Sequence, residues 1–219
     1  MSEHERADWL LPLLFIACLV LAAVFATMGA RVHAGDLSGV DQAVRRFVLG
    51  LRSTPADVVF EALTFLGNKY MAPVAAIIAW RVSGRNLTVG ALVLLTGFVS
   101  AEFVHVLKAF FVVVRPERGI LERDSSSFPS GHASGSAAIV VFLSVAVRHQ
   151  RNARLVAICG ALFAVLVSMS RVYLDHHWFS DVIGGTVIGG AIGLGFNALY
   201  EWYLRRQARS AGARGSSPN

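Results

Sequence analysis

The sequence predicts an all-α, polytopic membrane bundle of about six transmembrane helices. Three observations carry that reading. Hydrophobic residues make up 55% of the chain and charged residues only 16%. Apolar runs of bilayer-spanning length recur along it, and the mean hydropathy is +0.57. Such runs need lipid around them, and an open sheet cannot satisfy its backbone there, so the spans are helices. The 219 residues suit one membrane-embedded domain, with a core over about 56–200 and polar tails at 1–9 and 205–219. The net charge is +6. In a soluble protein this would suggest nucleic acid. Here the basic residues cluster between apolar runs and at the C-terminus, which points to anionic lipid headgroups and not to nucleic acid.

Each element follows from the pattern. Residues 10–30 carry no charge and can cross a bilayer. Their flanks lack the positive n-region of a signal peptide, so an uncleaved first helix is expected. Residues 31–55 form a polar connection with a short helix around 41–51, and Pro55 permits a new helix start. Residues 56–80 read as a second span, broken or kinked near Gly67. The third span is 87–107, and its last part bears Glu102, His105 and Lys108 along one side. Glu102 and His105 are expected to be a satisfied structural pair. Residues 109–128 leave the membrane. Runs at 131–147, 155–169 and 182–200 complete the set, the last continuous with a helix starting near His177. Gly185, Gly189 and Gly193 recur every four residues there and predict close helix approach. Cys18 and Cys159 lie in apolar runs and are expected to be buried thiols with no disulfide or metal role. A disordered tail containing Arg205, Arg206, Arg209 and Arg214 ends the chain.

Against this apolar background three polar clusters stand out. They are Lys108 with Arg115-Pro116, Pro129-Ser130-Gly131-His132, and Ser170-Arg171 with His177 and Asp181. Helix counting places all three at one membrane face. The first two clusters flank one excursion, and two crossings return the chain to the third.

The chemistry of the collection is coherent. Lys108, Arg115 and Arg171 can hold a phosphate and the charge of a phosphoryl-transfer transition state. Ser130 and Gly131 sit where a helix begins, and free backbone N–H groups there bind anions. His132 at the same start can protonate a leaving oxygen. His177 and Asp181 are four residues apart, so on a helix they share a face. A carboxylate beside an imidazole fixes its tautomer and suits a nucleophile that becomes cationic. Taken alone, the 170–181 stretch reads equally well as a polar interhelical loop.

In residue type and spacing the three clusters resemble the three-part signature of the type 2 phosphatidic acid phosphatase superfamily. That superfamily includes lipid phosphate phosphatases, bacterial acid phosphatases and vanadium haloperoxidases. The resemblance covers about 56–200, with the motif confined to 108–181. It implies a metal-independent phosphatase working through a phosphohistidine, with no cofactor. It assigns the phosphate cradle to Lys108, Arg115, Ser130, Gly131 and Arg171, the general acid to His132, the nucleophile to His177 and its partner to Asp181. Asp175 and His176 are not motif positions, and His176 reads as a bystander near the membrane surface.

The implied partners are a phosphorylated membrane lipid and the bilayer itself. Phosphatidic acid, phosphatidylglycerol phosphate, undecaprenyl pyrophosphate and a phosphorylated lipid A all offer the same phosphate. Specificity is expected from residues 31–55 and 117–128. The oligomeric state is open. The same site could instead pass its phosphoryl group to an acceptor alcohol. A zinc site from His132, His176, His177 and Asp181, or a small transporter or scaffold with buried charges, are the further rivals.

A short chain without eukaryotic targeting signals suggests a bacterial inner membrane. With the N-terminus inside, the inside segments hold 10 basic residues against 9 outside. Setting aside Lys108, Arg115 and Arg171 as functional leaves 10 against 6. Both termini are therefore expected in the cytoplasm and the site on the extracytoplasmic face.

Overall fold

The computed structural model describes residues 3–116 and 126–215, with side chains placed over 9–116 and 126–210. Eight α-helices and one short 3₁₀ turn account for the regular structure among them, and no strand occurs there. They are α1 (Glu3–Ala34), α2 (Ser38–Gly50), α3 (Thr54–Leu66), α4 (Ala72–Val82), α5 (Leu87–Phe110), α6 (Gly131–Ala146), α7 (Ala153–Tyr173) and α8 (Phe179–Gly215). The 3₁₀ turn, Lys69–Met71, joins α3 to α4.

By length and composition α1, α5, α7 and α8 can each cross a membrane. The α3–α4 pair passes the same test as one span bent by 59°. The break lies where the sequence places it. Gly67 caps α3, the Asn68 side chain accepts from the Tyr70 N–H, and Pro73 stands in the first turn of α4. Pro55 sits likewise in the first turn of α3. α6 has 16 residues, short for an independent span. It is enclosed instead, packing against α8, α7 and α5. The protein is thus an all-α integral membrane bundle, with large apolar side chains such as Phe15, Phe98 and Leu162 on its outer surface.

Among the described residues the α6–α8 contact is the most extensive between helices, and its cause is visible in the sequence. A Cβ built on Gly185, Gly189 or Gly193 would stand 2.4, 2.2 or 2.6 Å from the carbonyl oxygens of Ser130, Ser134 and Ala138. One helix ridge therefore runs bare backbone against the backbone of α6. On α6 the facing residues are small as well, with Ala133, Ser134, Ala137 and Ala138 all buried. Ser134 also meets Ser100 of α5, Oγ to Oγ at 2.9 Å.

Three expectations are corrected. The C-terminal tail is helical through Gly215, because α8 simply continues past the apolar run with Arg205, Arg206 and Arg209 on its surface. Cys159 is exposed, since its side of α7 faces outward, and Cys18 is half-buried and donates to the Ala191 carbonyl at 3.3 Å. Both thiols are free. Glu102 and His105 make no bond with each other; both are exposed on the side of α5 that faces the α3–α4 break. Of the connection expected to set specificity, residues 117–125 lie outside the described residues, as do Arg118 and Arg123 of the charge count.

Candidate active site

His177 lies in the turn between α7 and α8, and Asp181 in the first turn of α8. Both are buried, 3% and 0% exposed in their side chains. His177 Nδ1 stands 3.2 Å from Asp181 Oδ2. The same oxygen accepts the Trp178 N–H at 2.8 Å, and the other accepts Ser127 Oγ at 3.3 Å. A carboxylate held by three donors fixes the Nδ1–H tautomer of His177. The lone pair is then on Nε2, which lies 3.4 Å from Arg115 Nη1. His177 Nε2 is thus turned toward a guanidinium, where an anion could sit.

The turn itself is built by short-range bonds. The N–H groups of His176 and His177 both reach the Arg171 carbonyl, at 3.0 and 3.2 Å. Asp175 takes up a left-handed backbone, φ 61°, which an aspartate tolerates. The extended segment after α5 crosses this turn. Trp178 Nε1 donates to the Val114 carbonyl at 2.7 Å, and Arg115 Nη1 donates to the His176 carbonyl at 3.0 Å. His176 therefore belongs to the site through its backbone.

The N-terminus of α6 closes the other side. Ser130 precedes the helix and its N–H donates to the Asp181 carbonyl at 3.0 Å, fixing the start of α6 against α8. Ser130 Oγ is buried and has no hydrogen-bond partner among the described residues. Such a hydroxyl suits a phosphate oxygen, as do the free N–H groups of the first helical turn. His132 and Lys108 line one open cavity together with Gly131. Arg171, 4% exposed, is steered by a 2.7 Å bond from its Nη1 to Thr64 Oγ1 on α3. The structure therefore brings Lys108, Arg115, Ser130, Gly131, His132, Arg171, His177 and Asp181 to one end of the bundle. Among the described residues, no group of three or more His, Cys, Asp or Glu side chains is arranged to hold a metal ion.

Several supporting residues were invisible to motif reading. Arg45 of α2 forms a two-pronged pair with Asp175, at 2.8 and 2.9 Å. Its guanidinium also stands 5.9 Å over the Trp178 ring. Asp41, on the same helix, accepts Ser180 N–H at 2.8 Å and Ser180 Oγ at 2.6 Å. Burial pushes the Asp41 carboxyl up from its usual range, and the Ser180 hydrogen bonds pull it back. Tyr173 Oη accepts from the Ser53 N–H at 3.0 Å, tying the start of α3 to the end of α7. α2 is amphipathic and Asp41 is its one buried residue, so these bonds dock it onto the α7–α8 turn. The only sequence signal was the spacing of Asp41 and Arg45, four residues apart on one helix face.

Residues 87–206 match the PAP2 superfamily. The chain is 31% identical over 173 residues to phosphatidylglycerophosphatase B of Bacillus subtilis, covering 75% of this chain and 85% of that protein. It is 39% identical over 66 residues to the undecaprenyl-diphosphatase of Sulfolobus acidocaldarius, 30% of each. Among solved structures it resembles the transmembrane PAP2-type phosphatidylglycerolphosphate phosphatase from Bacillus subtilis. That match has a TM-score of 0.74 and 26% identity, over 84% of this chain and 96% of the other.

Proposed function

The chain belongs to the PAP2 superfamily, and from that premise we propose that it hydrolyses a lipid phosphate monoester or pyrophosphate through a phosphohistidine, without a metal ion. It is a membrane enzyme, a phosphatase acting on a lipid phosphate. The observation that carries the proposal is the orientation of His177. Asp181 takes its Nδ1–H, and its Nε2 lies beside Arg115.

In the first step the Nε2 lone pair attacks phosphorus, and the bond from phosphorus to the lipid oxygen breaks. His132 gives that oxygen its proton, so the lipid leaves as a neutral alcohol or as a lipid monophosphate. The imidazole becomes cationic, and Asp181 stabilises it. Lys108, Arg115, Arg171, Ser130 and the first N–H groups of α6 hold the three equatorial oxygens as charge spreads over them. In the second step His132 removes a proton from water, the water oxygen attacks phosphorus, and the P–N bond breaks to release inorganic phosphate.

Trapping tests this directly. Brief exposure to a substrate with radiolabelled phosphorus, followed by an alkaline quench, leaves an acid-labile label on the wild type. His177→Ala carries no label and loses at least about 10⁴-fold in turnover. A wild-type level of label on His177→Ala would overturn the assignment.

We place both termini in the cytoplasm and the site at the extracytoplasmic headgroup level. The basic connections at 81–86 and 148–154 and the basic end of α8 support this. In a variant lacking Cys18 and Cys159, a cysteine at the exposed position Asp36 reacts with an impermeant thiol reagent in intact spheroplasts. One at Asn152 reacts only after lysis. The reverse pattern would invert the topology.

A further inference from the structure

α2 presents three faces, and the bundle engages one of them. On that face Asp41 and Arg45 meet the α7–α8 turn and hold Ser180 and Asp175. Roughly a third of a turn away runs an apolar row, Val40 and Phe47 with Leu51 just past the helix end. These side chains are 54%, 69% and 59% exposed, so no described residue covers them. The third face is polar, with Ser38, Gln42 and Arg46 exposed.

The place of the apolar row says what covers it. α2 links α1 to the bent α3–α4 pair, and both of these can cross a membrane. It therefore lies where the spans leave the hydrocarbon, at the same end of the bundle as His177. Beyond Leu51 the exposed apolar side chains resume on α3 with Val58 and Val59. The outer surface of a spanning segment faces lipid, so the row on α2 continues the lipid-facing surface of the bundle. Charge agrees with this. Arg46 is exposed and makes no hydrogen bond or ion pair among the described residues. The acidic residue of α2, Asp41, is buried, so the outer surface of the helix carries no carboxylate. An apolar row edged by an arginine fits the boundary between anionic headgroups and acyl chains.

We propose that α2 docks into the lipid surface through Val40, Phe47 and Leu51, and that this docking holds the α7–α8 turn in its working position through Asp41 and Arg45. The second half of the proposal rests on the phosphatase reading above. The chain of contacts is short. Lipid holds the outer row, and Arg45–Asp175 and Asp41–Ser180 carry the constraint inward. Ser180 is the neighbour of Asp181, which orients His177. A helix of 13 residues with one buried side chain is marginal by itself, so the bilayer supplies the support that the bundle does not. Lifting α2 from the surface loosens the turn, and the loss falls on kcat.

The test uses the full chain, lacking Cys18 and Cys159, in nanodiscs of phosphatidylcholine and phosphatidylglycerol. A spin label on Phe47→Cys is relaxed by oxygen and shielded from a water-soluble nickel complex, at a depth of about 5–10 Å. A label on Gln42→Cys, on the polar face, is open to the nickel complex. Equal access of nickel to both labels overturns the docking. A label at 47 shielded from oxygen and nickel alike, with spin–spin broadening, would put a second copy on this face and overturn it too. Turnover of dioleoyl phosphatidic acid in the same discs tests the coupling. Phe47→Glu lowers kcat about fivefold with KM little changed, while Phe47→Leu stays near the wild type. Added to Arg45→Ala, Phe47→Glu costs less than about twofold more, because both act through one clamp. Two losses that multiply in full, or a loss confined to KM, overturn the coupling. A wild type inert toward phosphatidic acid overturns the phosphatase reading and the coupling with it, and the label depths decide the docking without any activity.

Discussion

α6 has two faces that do opposite work. Toward α8 it is sealed, with glycine backbone pressed on carbonyl oxygens and Ala133, Ser134 and Ala138 fully buried. On another side it is only half-buried, and Gly135 and Ile139 line an apolar groove together with residues of α4, α5 and α7. The sealed face fixes the N-terminus of α6 against α8, so that the Ser130 N–H is bonded to the Asp181 carbonyl and Ser130 is held close to His177. The other face borders a groove of about 380 Å³. Close packing and open space are thus divided between two sides of one 16-residue helix.

Adding a single methyl group to each side sharpens this contrast. Gly189→Ala places a Cβ 2.2 Å from the Ser134 carbonyl oxygen, and backbone cannot move aside cheaply. The expected cost is about 3 kcal/mol or more, read as a large fall in thermal stability in detergent together with loss of turnover. A Tm equal to the wild type would mean that α6 and α8 do not approach this closely.

An intermediate effect is expected from the clamp above the site. Arg45→Ala removes the partner of Asp175, whose side chain is 1% exposed while Arg45 is 20% exposed. Because one partner is partly in water, the stability loss is about 1–2 kcal/mol and not the full value for a buried pair. Turnover should fall roughly tenfold through kcat, with KM little changed, because the turn that holds His177 loosens. Arg45→Lys should rescue this only in part, since lysine cannot make the two-pronged contact. A change confined to KM would make α2 a binding element and not a positioning one.

The smallest effect lies on the open face and has the opposite sign. Nothing lies within 4 Å of a Cβ built on Gly135. Gly135→Ala should therefore raise stability by about 0.5–1 kcal/mol, the ordinary gain of alanine over glycine in a helix. A destabilised Gly135→Ala protein would mean that this side of α6 is packed.

The legible parts of the protein follow local rules. Apolar runs gave the helices, and Gly67 with its neighbours gave the break in the second span. A four-residue glycine repeat gave the α6–α8 seam. The order of three polar clusters between apolar runs was enough to bring them to one end, because a helix that crosses a membrane must emerge on the other side. His177 and Asp181 do meet, but across the turn ahead of α8 and not along a helix as their four-residue spacing suggested, because α8 starts only at Phe179.

What the sequence could not determine depends on how helices are rotated and docked. Arg45 and Asp175 are 130 residues apart, and Asp41 and Ser180 are 139 apart. No periodicity links them, and their pairing exists only because α2 folds back over the α7–α8 turn. Glu102 and His105 read as a satisfied structural pair because charges in a membrane helix usually face the interior. They line instead an open cavity beside the α3–α4 break at Gly67–Lys69. Cys159 lies in the same kind of apolar run as the half-buried Cys18 and still faces outward. Composition and spacing decide which segments are helices and where their polar ends gather. The rotation of each helix about its own axis is set by the packing of the whole bundle, and that alone decides which polar groups meet each other and which are left to meet a substrate.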